Sequence, residues 1–279
     1  MVKIFTIVKD EVDIVRDWII YHGSIFGWKN IYIIDNYSVD GTFEIINEYK
    51  SLINIYREPD YRKKGIYMKN LIDKYCINND HIAFPIDIDE FIVYYDKNSN
   101  NKLISTDKNL ILKYINNLPK AYIYKCAYID PILITNNKDG LENACKEIDY
   151  GVYNNYLGSA SKSFIDKRFY KEDIDHGNHF LSNDYYLTNI CLVHYHYRNL
   201  NQLKKKIYNN IIGLGYKDDL NNLKEIITNN PYCGGNQHIS DYIKLWEGKF
   251  KFKIYNENQI NKNDSINIIP LKNTIKKYY

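Results

Sequence analysis

The chain has 279 residues, 45% hydrophobic and 25% charged. That is ordinary globular usage, and it excludes a disordered or collagen-like chain as well as a small scaffold dependent on disulfide or metal staples. Lys+Arg total 37 against 34 for Asp+Glu, a formal charge of +3, and no domain-sized basic stripe marks a nucleic-acid binder.

From the N-terminus, the apolar run Lys3 to Val8 reads as a strand. It ends at Val8, too short for a signal-peptide core, and Asn, Lys or Asp breaks every later hydrophobic run before the roughly 18 residues of a bilayer span. The five cysteines are odd in number, widely spaced and without a C-x-x-C pair, which fits a reducing compartment. The expectation is therefore a cytoplasmic protein with no transmembrane anchor, free to make peripheral membrane contact. The 29 Tyr, with abundant Ile, Asn and Lys and Arg only at 16, 57, 62, 168 and 198, follow AT-rich codons of the kind a low-GC bacterium, a protist or a large DNA virus uses.

Glu11 to Phe26 carries Val12, Val15, Trp18, Ile19 and His22 at helical spacing and closes at Gly27. Asn30 to Ile34 is a second strand running into Asp35 and a turn-rich segment, and Phe43 to Tyr49 a helix with Thr42 near its N-cap. Ile53 to Tyr56, Lys69 to Cys76 and His81 to Ile86 continue as strand, helix and strand. This alternation predicts an α/β fold with a mostly parallel sheet flanked by helices. Ligands would bind beyond the carboxyl ends of the strands, where Asp10, Asp35 and Asp87 lie.

Past the Asn/Lys loop Asp96 to Asn101 the pattern turns mixed, with a helix over Asp107 to Leu118 and a strand over Ala121 to Ile129. Alternation in that strand buries its odd positions, Lys125 excepted. Asn199 to Ile212, Asp218 to Thr228 and His238 to Trp246 are helix candidates, and the Asn/Lys-rich tail from Asn256 reads as weakly packed.

The sharpest chemical feature is Phe84-Pro85-Ile86-Asp87-Ile88-Asp89-Glu90-Phe91. On extended chain, residues at i and i+2 point the same way, so Asp87 and Asp89 present two carboxylates that suit Mn²⁺ or Mg²⁺ with phosphate oxygens; a solvated acidic cap is the plainer alternative. Such a pair repels itself without metal, so Asp89→Asn should spare the fold. Its companion block is Asp35-Asn36-Tyr37-Ser38-Val39-Asp40-Gly41-Thr42, which follows an apolar strand.

These blocks resemble the GT-A glycosyltransferases of the family 2 group, whose second strand ends in D-D-G-S-x-D-G-T and whose fourth ends in D-x-D. With Lys9-Asp10-Glu11, Trp18 and Tyr21-His22, the chain looks closest to the branch that includes glycosyltransferase family 92. A weaker likeness continues through His176-Gly177-Asn178-His179 and His194-Tyr195-His196-Tyr197-Arg198-Asn199, where Arg198-Asn199 replace the family's K-S.

The resemblance implies a GT-A domain over 1–250, its nucleotide-binding half to about 95 and its acceptor half over 96–250, with 251–279 as a C-terminal extension. It implies metal-dependent, inverting transfer of a hexose from a UDP-sugar donor to a glycan or glycoconjugate acceptor, with Mn²⁺ or Mg²⁺ as cofactor. Asp35, flanked by Val8 and Lys9, would hold the base, unless Asp35 only caps its turn. Asp87 would face the ribose or a metal-bound water, and Asp89 would bind the metal. His194 would complete the shell, with His176, His179 and His196 as rivals.

The catalytic base would be a carboxylate on the acceptor side: Asp130, Asp139 or Glu142, with Asp130 at a strand end and Asp139-Gly140 also a turn signal. Arg62, with Lys63 and Lys64, would help neutralise diphosphate or else lie on solvated surface. The rival functions are an inert glycan-binding module on the same fold and a metal-dependent nucleotidyltransferase. The latter needs a Gly-rich phosphate loop that Lys9-Asp10-Glu11 does not supply.

Overall fold

The computed structural model describes residues 1–77, 82–132, 144–154, 161–170, 173–175, 177–179, 184–250 and 265–279. Its elements are β1 (Val2–Val8), α1 (Val15–Phe26), β2 (Ile31–Asp35), α2 (Thr42–Glu48), β3 (Asn54–Arg57), α3 (Lys64–Tyr75), β4 (Ile82–Pro85) and β5 (Glu90–Tyr94). There follow α4 (Lys108–Asn116), β6 (Ile123–Pro131), α5 (Ala144–Glu147), β7 (Tyr150–Asn154), β8 (Ser163–Asp166) and β9 (Tyr186–His194). The chain continues through α6 (Leu200–Gly213), α7 (Leu220–Asn229), α8 (Asn236–Trp246), β10 (Ile266–Asn267) and α9 (Ile269–Lys276).

The strands form one large central sheet flanked by helices, an α/β architecture. Parallel pairing runs through β3-β2-β1-β4, and the sheet then turns antiparallel through β8, β6, β7 and β10. β9 lies parallel to β6 and pairs antiparallel with β5. The parallel order expected from the strand–helix alternation thus holds through β1 to β4, and past them β6 and β9 form the remaining parallel pair among the described strands.

β1 explains how the core divides. Its residues alternate across the sheet, so Val2, Ile4 and Val8 join one apolar cluster with α1, while Phe5 and Ile7 join a second with Met68, Leu71 and Ile72 of α3. Burying both faces of a parallel strand accounts for its continuous apolar sequence. β6 behaves alike. The expected alternation is absent because both faces of β6 are packed, and Ile123 to Ile129 are all buried. Lys125 is accommodated because its ammonium donates to the carbonyls of Ser161 and His179.

Two helices start elsewhere than periodicity suggests. α1 begins at Val15, since Ile14 N–H and Val15 N–H both donate to the Glu11 carbonyl in a preceding turn. α3 begins at Lys64, where Gly65 lets the chain pass the Ile174 carbonyl: a Cβ there would lie 2.1 Å from that oxygen. The C-terminal residues depart most from expectation. β10 pairs with β7, and Ile268, Leu271 and Ile275 are fully buried, with α9 packed on α1 and α5. All five cysteines are free. No described helix is long and apolar enough to cross a membrane.

Candidate functional site

Two motif blocks lock together beyond the carboxyl ends of β1 and β2. Ser38 Oγ accepts from Asp10 N–H (2.9 Å), Thr42 Oγ1 from Glu11 N–H (2.8 Å), and Asp40 Oδ2 from Val12 N–H (3.3 Å). Asp10 returns the contact by accepting from Val39 N–H at 2.7 Å. Asp10 takes φ 54° and Gly41 φ 99°, backbone that glycine adopts freely and aspartate at a small cost.

The helical block Trp18, Tyr21 and His22 serves β5. Trp18 Nε1–H donates to the Glu90 carbonyl (3.0 Å), Tyr21 OH to the Ile92 carbonyl (2.6 Å), and Ile92 N–H to His22 Nε2 (3.3 Å). Three side chains of α1 thus satisfy main-chain groups of β5, whose only pairing among the described strands is with β9. The same helix fixes the start of β5, one residue after Asp89.

The acidic motif is a turn, not the extended segment expected. Glu90 N–H donates to the Asp87 carbonyl (3.1 Å), and the Glu90 carboxylate accepts from Asp87 N–H (2.8 Å). The two aspartates therefore meet different partners. Asp87 accepts from Lys64 Nζ (2.6 Å) and Lys162 Nζ (2.7 Å), both ammoniums nearly fully buried. Burial would raise the Asp87 pKa, but Lys162 and Lys64 hold it well below the usual carboxylate range.

Asp89 faces β9 and α6. The β5–β9 register sets His194 opposite Glu90, so His194 Nε2 comes within 3.6 Å of Asp89 Oδ2. His196 N–H donates to the His194 carbonyl (2.9 Å), a tight turn that brings the second imidazole back. One ligand atom from each of Asp89, His194 and His196 lies within 4.8 Å of the others, a group that can hold a metal ion. Lys206 Nζ of α6 donates to Asp89 Oδ2 and lies 3.3 Å from His196 Nδ1. Against burial, Lys206 and His194 keep Asp89 ionised, and Asp89 raises His194 above an ordinary histidine. Burial, then Lys206 and His194, push His196 far down, so it is neutral.

These groups line a cavity of about 1110 Å³, bounded also by Lys9, Asn36, Tyr37, Arg62, Asp130, Asn154 and His179. Lys9, Asn36 and Asp87 follow β1, β2 and β4, so the cavity opens where the parallel strands end, as their alternation with helices implies. The Tyr37 ring, half-exposed at φ 54°, lies against the Arg57 guanidinium, which also covers Phe43.

No protein-family model and no curated protein matches the chain. Among solved structures, the crystal structure of HddC from Yersinia pseudotuberculosis is similar over 70% of this chain and 93% of its own, at 11% identity and TM-score 0.36. Likeness at that level carries no argument about function.

Of the residues singled out in the sequence, Lys9, Arg62, Asp87, Asp89, Asp130 and His194 line one cavity. Val8 is buried in β1 and Asp35 is fully buried beneath the cavity wall. Asp35 Oδ1 accepts from Ser38 N–H (3.1 Å) and Oδ2 from Arg57 Nε–H (3.0 Å), so it caps its turn and holds Arg57 under Tyr37. Arg62 pairs with its neighbour Asp60. Asp130 accepts from Asn154 Nδ2–H. Asp87 stands outside the Asp89–His194–His196 group, because the lysines take both its oxygens, and His196 is the second imidazole instead. Asp139, Glu142 and His176 lie outside the described residues.

Lys162, Lys206 and Asp13 lie outside the motif blocks, although Asp13 joins two residues of those blocks by pairing with Arg198, which also meets Glu11. The visible sign was Lys204-Lys205-Lys206 inside a predicted helix, where two neighbours of a run point at the body: Lys205 to Asp40 and Lys206 to Asp89.

Proposed function

We propose that the chain is a GT-A type glycosyltransferase that moves a hexose from a UDP-sugar to a hydroxyl of a glycan or other glycoconjugate, with inversion. The observation that carries this reading is the Asp89–His194–His196 group at the wall of a cavity where parallel strands end. One carboxylate oxygen with two imidazole nitrogens fits Mn²⁺ better than Mg²⁺, which favours all-oxygen shells. A bound divalent ion would stabilise the negative charge of the departing diphosphate.

The chain's own residues supply the rest. Tyr37, backed by Arg57, offers a flat face for the uracil, and Asp35 acts on the base through Arg57. Lys64, Lys162 and Arg62 give that wall positive potential toward phosphates. Asp130, on the acceptor side, takes the proton of the acceptor hydroxyl as its oxygen attacks the anomeric carbon and the bond to diphosphate breaks. Fixing donor and acceptor in one cavity supplies the proximity that the displacement requires.

The test is thermal stability with UDP, UDP-glucose, UDP-galactose and UDP-N-acetylglucosamine, in Mn²⁺ and in EDTA, since a ligand of the native state raises its melting temperature. The reading predicts a rise with UDP compounds that is larger in Mn²⁺. No rise with any of them removes the nucleotide-sugar donor.

A further inference from the structure

α6 reaches the site through polar contacts. Its apolar residues Leu203, Ile207 and Ile211 pack with Leu223, Ile239 and Tyr242 of α7 and α8. Its opposite side meets the α/β body through Lys205 to Asp40 (2.7 Å), Asn209 Nδ2–H to Asp10 (3.1 Å) and Lys206 to Asp89. The start of the helix is fixed by Asn199, which caps Gln202 N–H (2.8 Å), and by buried Arg198 on Asp13 and Glu11. That anchorage delivers the Lys206 ammonium to the carboxylate of the candidate metal group.

An ammonium has donors and no acceptor. Where Lys206 Nζ meets His196 Nδ1 at 3.3 Å, the imidazole nitrogen must therefore offer its lone pair to lysine. Asp89 Oδ2 gives its own electron density to the same ammonium. Both residues belong to the group that a divalent ion would need, and a dication set beside an ammonium at a buried carboxylate is strongly repelled. We infer that Lys206 is a built-in occupant of the cation site, competing with a divalent ion for Asp89 and His196. An ion enters only as the Lys206 side chain leaves, and the displaced ammonium then faces the cavity, where phosphate oxygens can take it. This inference rests on the reading of Asp89, His194 and His196 as metal ligands.

The experiment is a Mn²⁺ titration of the whole chain, with free ion read by electron paramagnetic resonance, for wild type, Lys206→Met and Asp89→Asn. The inference predicts that Lys206→Met binds Mn²⁺ at least about tenfold more tightly than wild type, because a like charge has left the site. Equal or weaker binding by Lys206→Met, with wild-type binding lost in Asp89→Asn, overturns the role of Lys206 and leaves the metal group standing. No Mn²⁺ bound by wild type or Lys206→Met overturns both. Should Lys206→Met fail to fold, the wild type decides: the acetylation rate of Lys206, read by mass spectrometry, should rise severalfold in excess Mn²⁺, and an unchanged rate overturns the inference.

Discussion

The indole of Trp18 donates to the main-chain carbonyl of Glu90 at 3.0 Å, which ties α1 to the first residue of β5. Asp89 immediately precedes that residue, so the depth of Trp18 in the core sets where the carboxylate stands against His194. Trp18 is fully buried. Trp18→Phe should leave the Glu90 carbonyl without its donor and cost about 1–3 kcal/mol, and Trp18→Ala about 3–5 kcal/mol. Urea unfolding measures both, and a loss below about 0.5 kcal/mol for Trp18→Phe would remove the bond from the account.

His22 makes a pH prediction. Its Nδ1 lies 3.0 Å from the Trp18 carbonyl and its Nε2 accepts from Ile92 N–H, which assigns a neutral ring with the proton on Nδ1. Burial lowers its pKa to about 3. The unfolded chain, with an ordinary histidine, binds the proton first, so His22 contributes its full stability above about pH 6.5. That contribution is lost as pH falls from there toward 3, by at most about 1.4 kcal/mol per pH unit. Nitrogen-15 NMR should find the ring neutral from pH 8 down to about 4. A midpoint near 6.5 contradicts the burial argument.

Asp87 and Asp89 were expected to repel each other. Instead Lys64 and Lys162 neutralise the first and Lys206 the second. Asp87→Asn should therefore destabilise the fold by about 3 kcal/mol, because two nearly buried ammoniums lose their carboxylate. Equilibrium unfolding at pH 7 is the check, and a variant as stable as wild type would mean that solvent serves the lysines as well.

Tyr37 and Asp35 should separate in their effects. Tyr37→Ala should weaken UDP by about tenfold with little change in stability, the loss of one base–aromatic stack being about 1–3 kcal/mol. Asp35→Ala should lower stability more, since it frees Arg57 and the Ser38 amide. Calorimetric UDP titrations beside melting curves test the pair. A larger UDP loss from Asp35 than from Tyr37 would make the carboxylate the direct base contact.

The elements that periodicity made legible are those with one dominant pattern. The apolar runs of β1, β2 and β4 and the amphipathic α6, α7 and α8 stand in the structure close to where the sequence sets them. Alternation presumes one wet side, and the buried stretch Ile123 to Ile129 of β6 has none. β7 and β8 escaped notice, being short strands whose partners lie far along the chain. At the site, the acidic triplet Asp87-Ile88-Asp89-Glu90 and His194 each follow an apolar run, and the structure brings Asp89 and His194 together. Lys162 is not legible, since a lysine's reach across the fold leaves no local signature, and Lys206 shows only as one of the run Lys204-Lys205-Lys206. Pairing Asp87 with Asp89 at one metal presumes extended chain, and the turn closed by Glu90 turns Asp87 to Lys64 and Lys162.

The most direct measurement of the central claim is UDP release from a panel of UDP-hexoses with glycan acceptors, at saturating Mn²⁺, for wild type and Asp89→Asn matched by circular dichroism. The account predicts turnover by the wild type and a fall of at least about a hundredfold in the variant, the scale of several kcal/mol of lost charge stabilisation at the leaving group. Equal rates in the two proteins would take Asp89 out of the chemistry, and no turnover by the wild type with any donor or acceptor in the panel would contradict the glycosyltransferase reading itself.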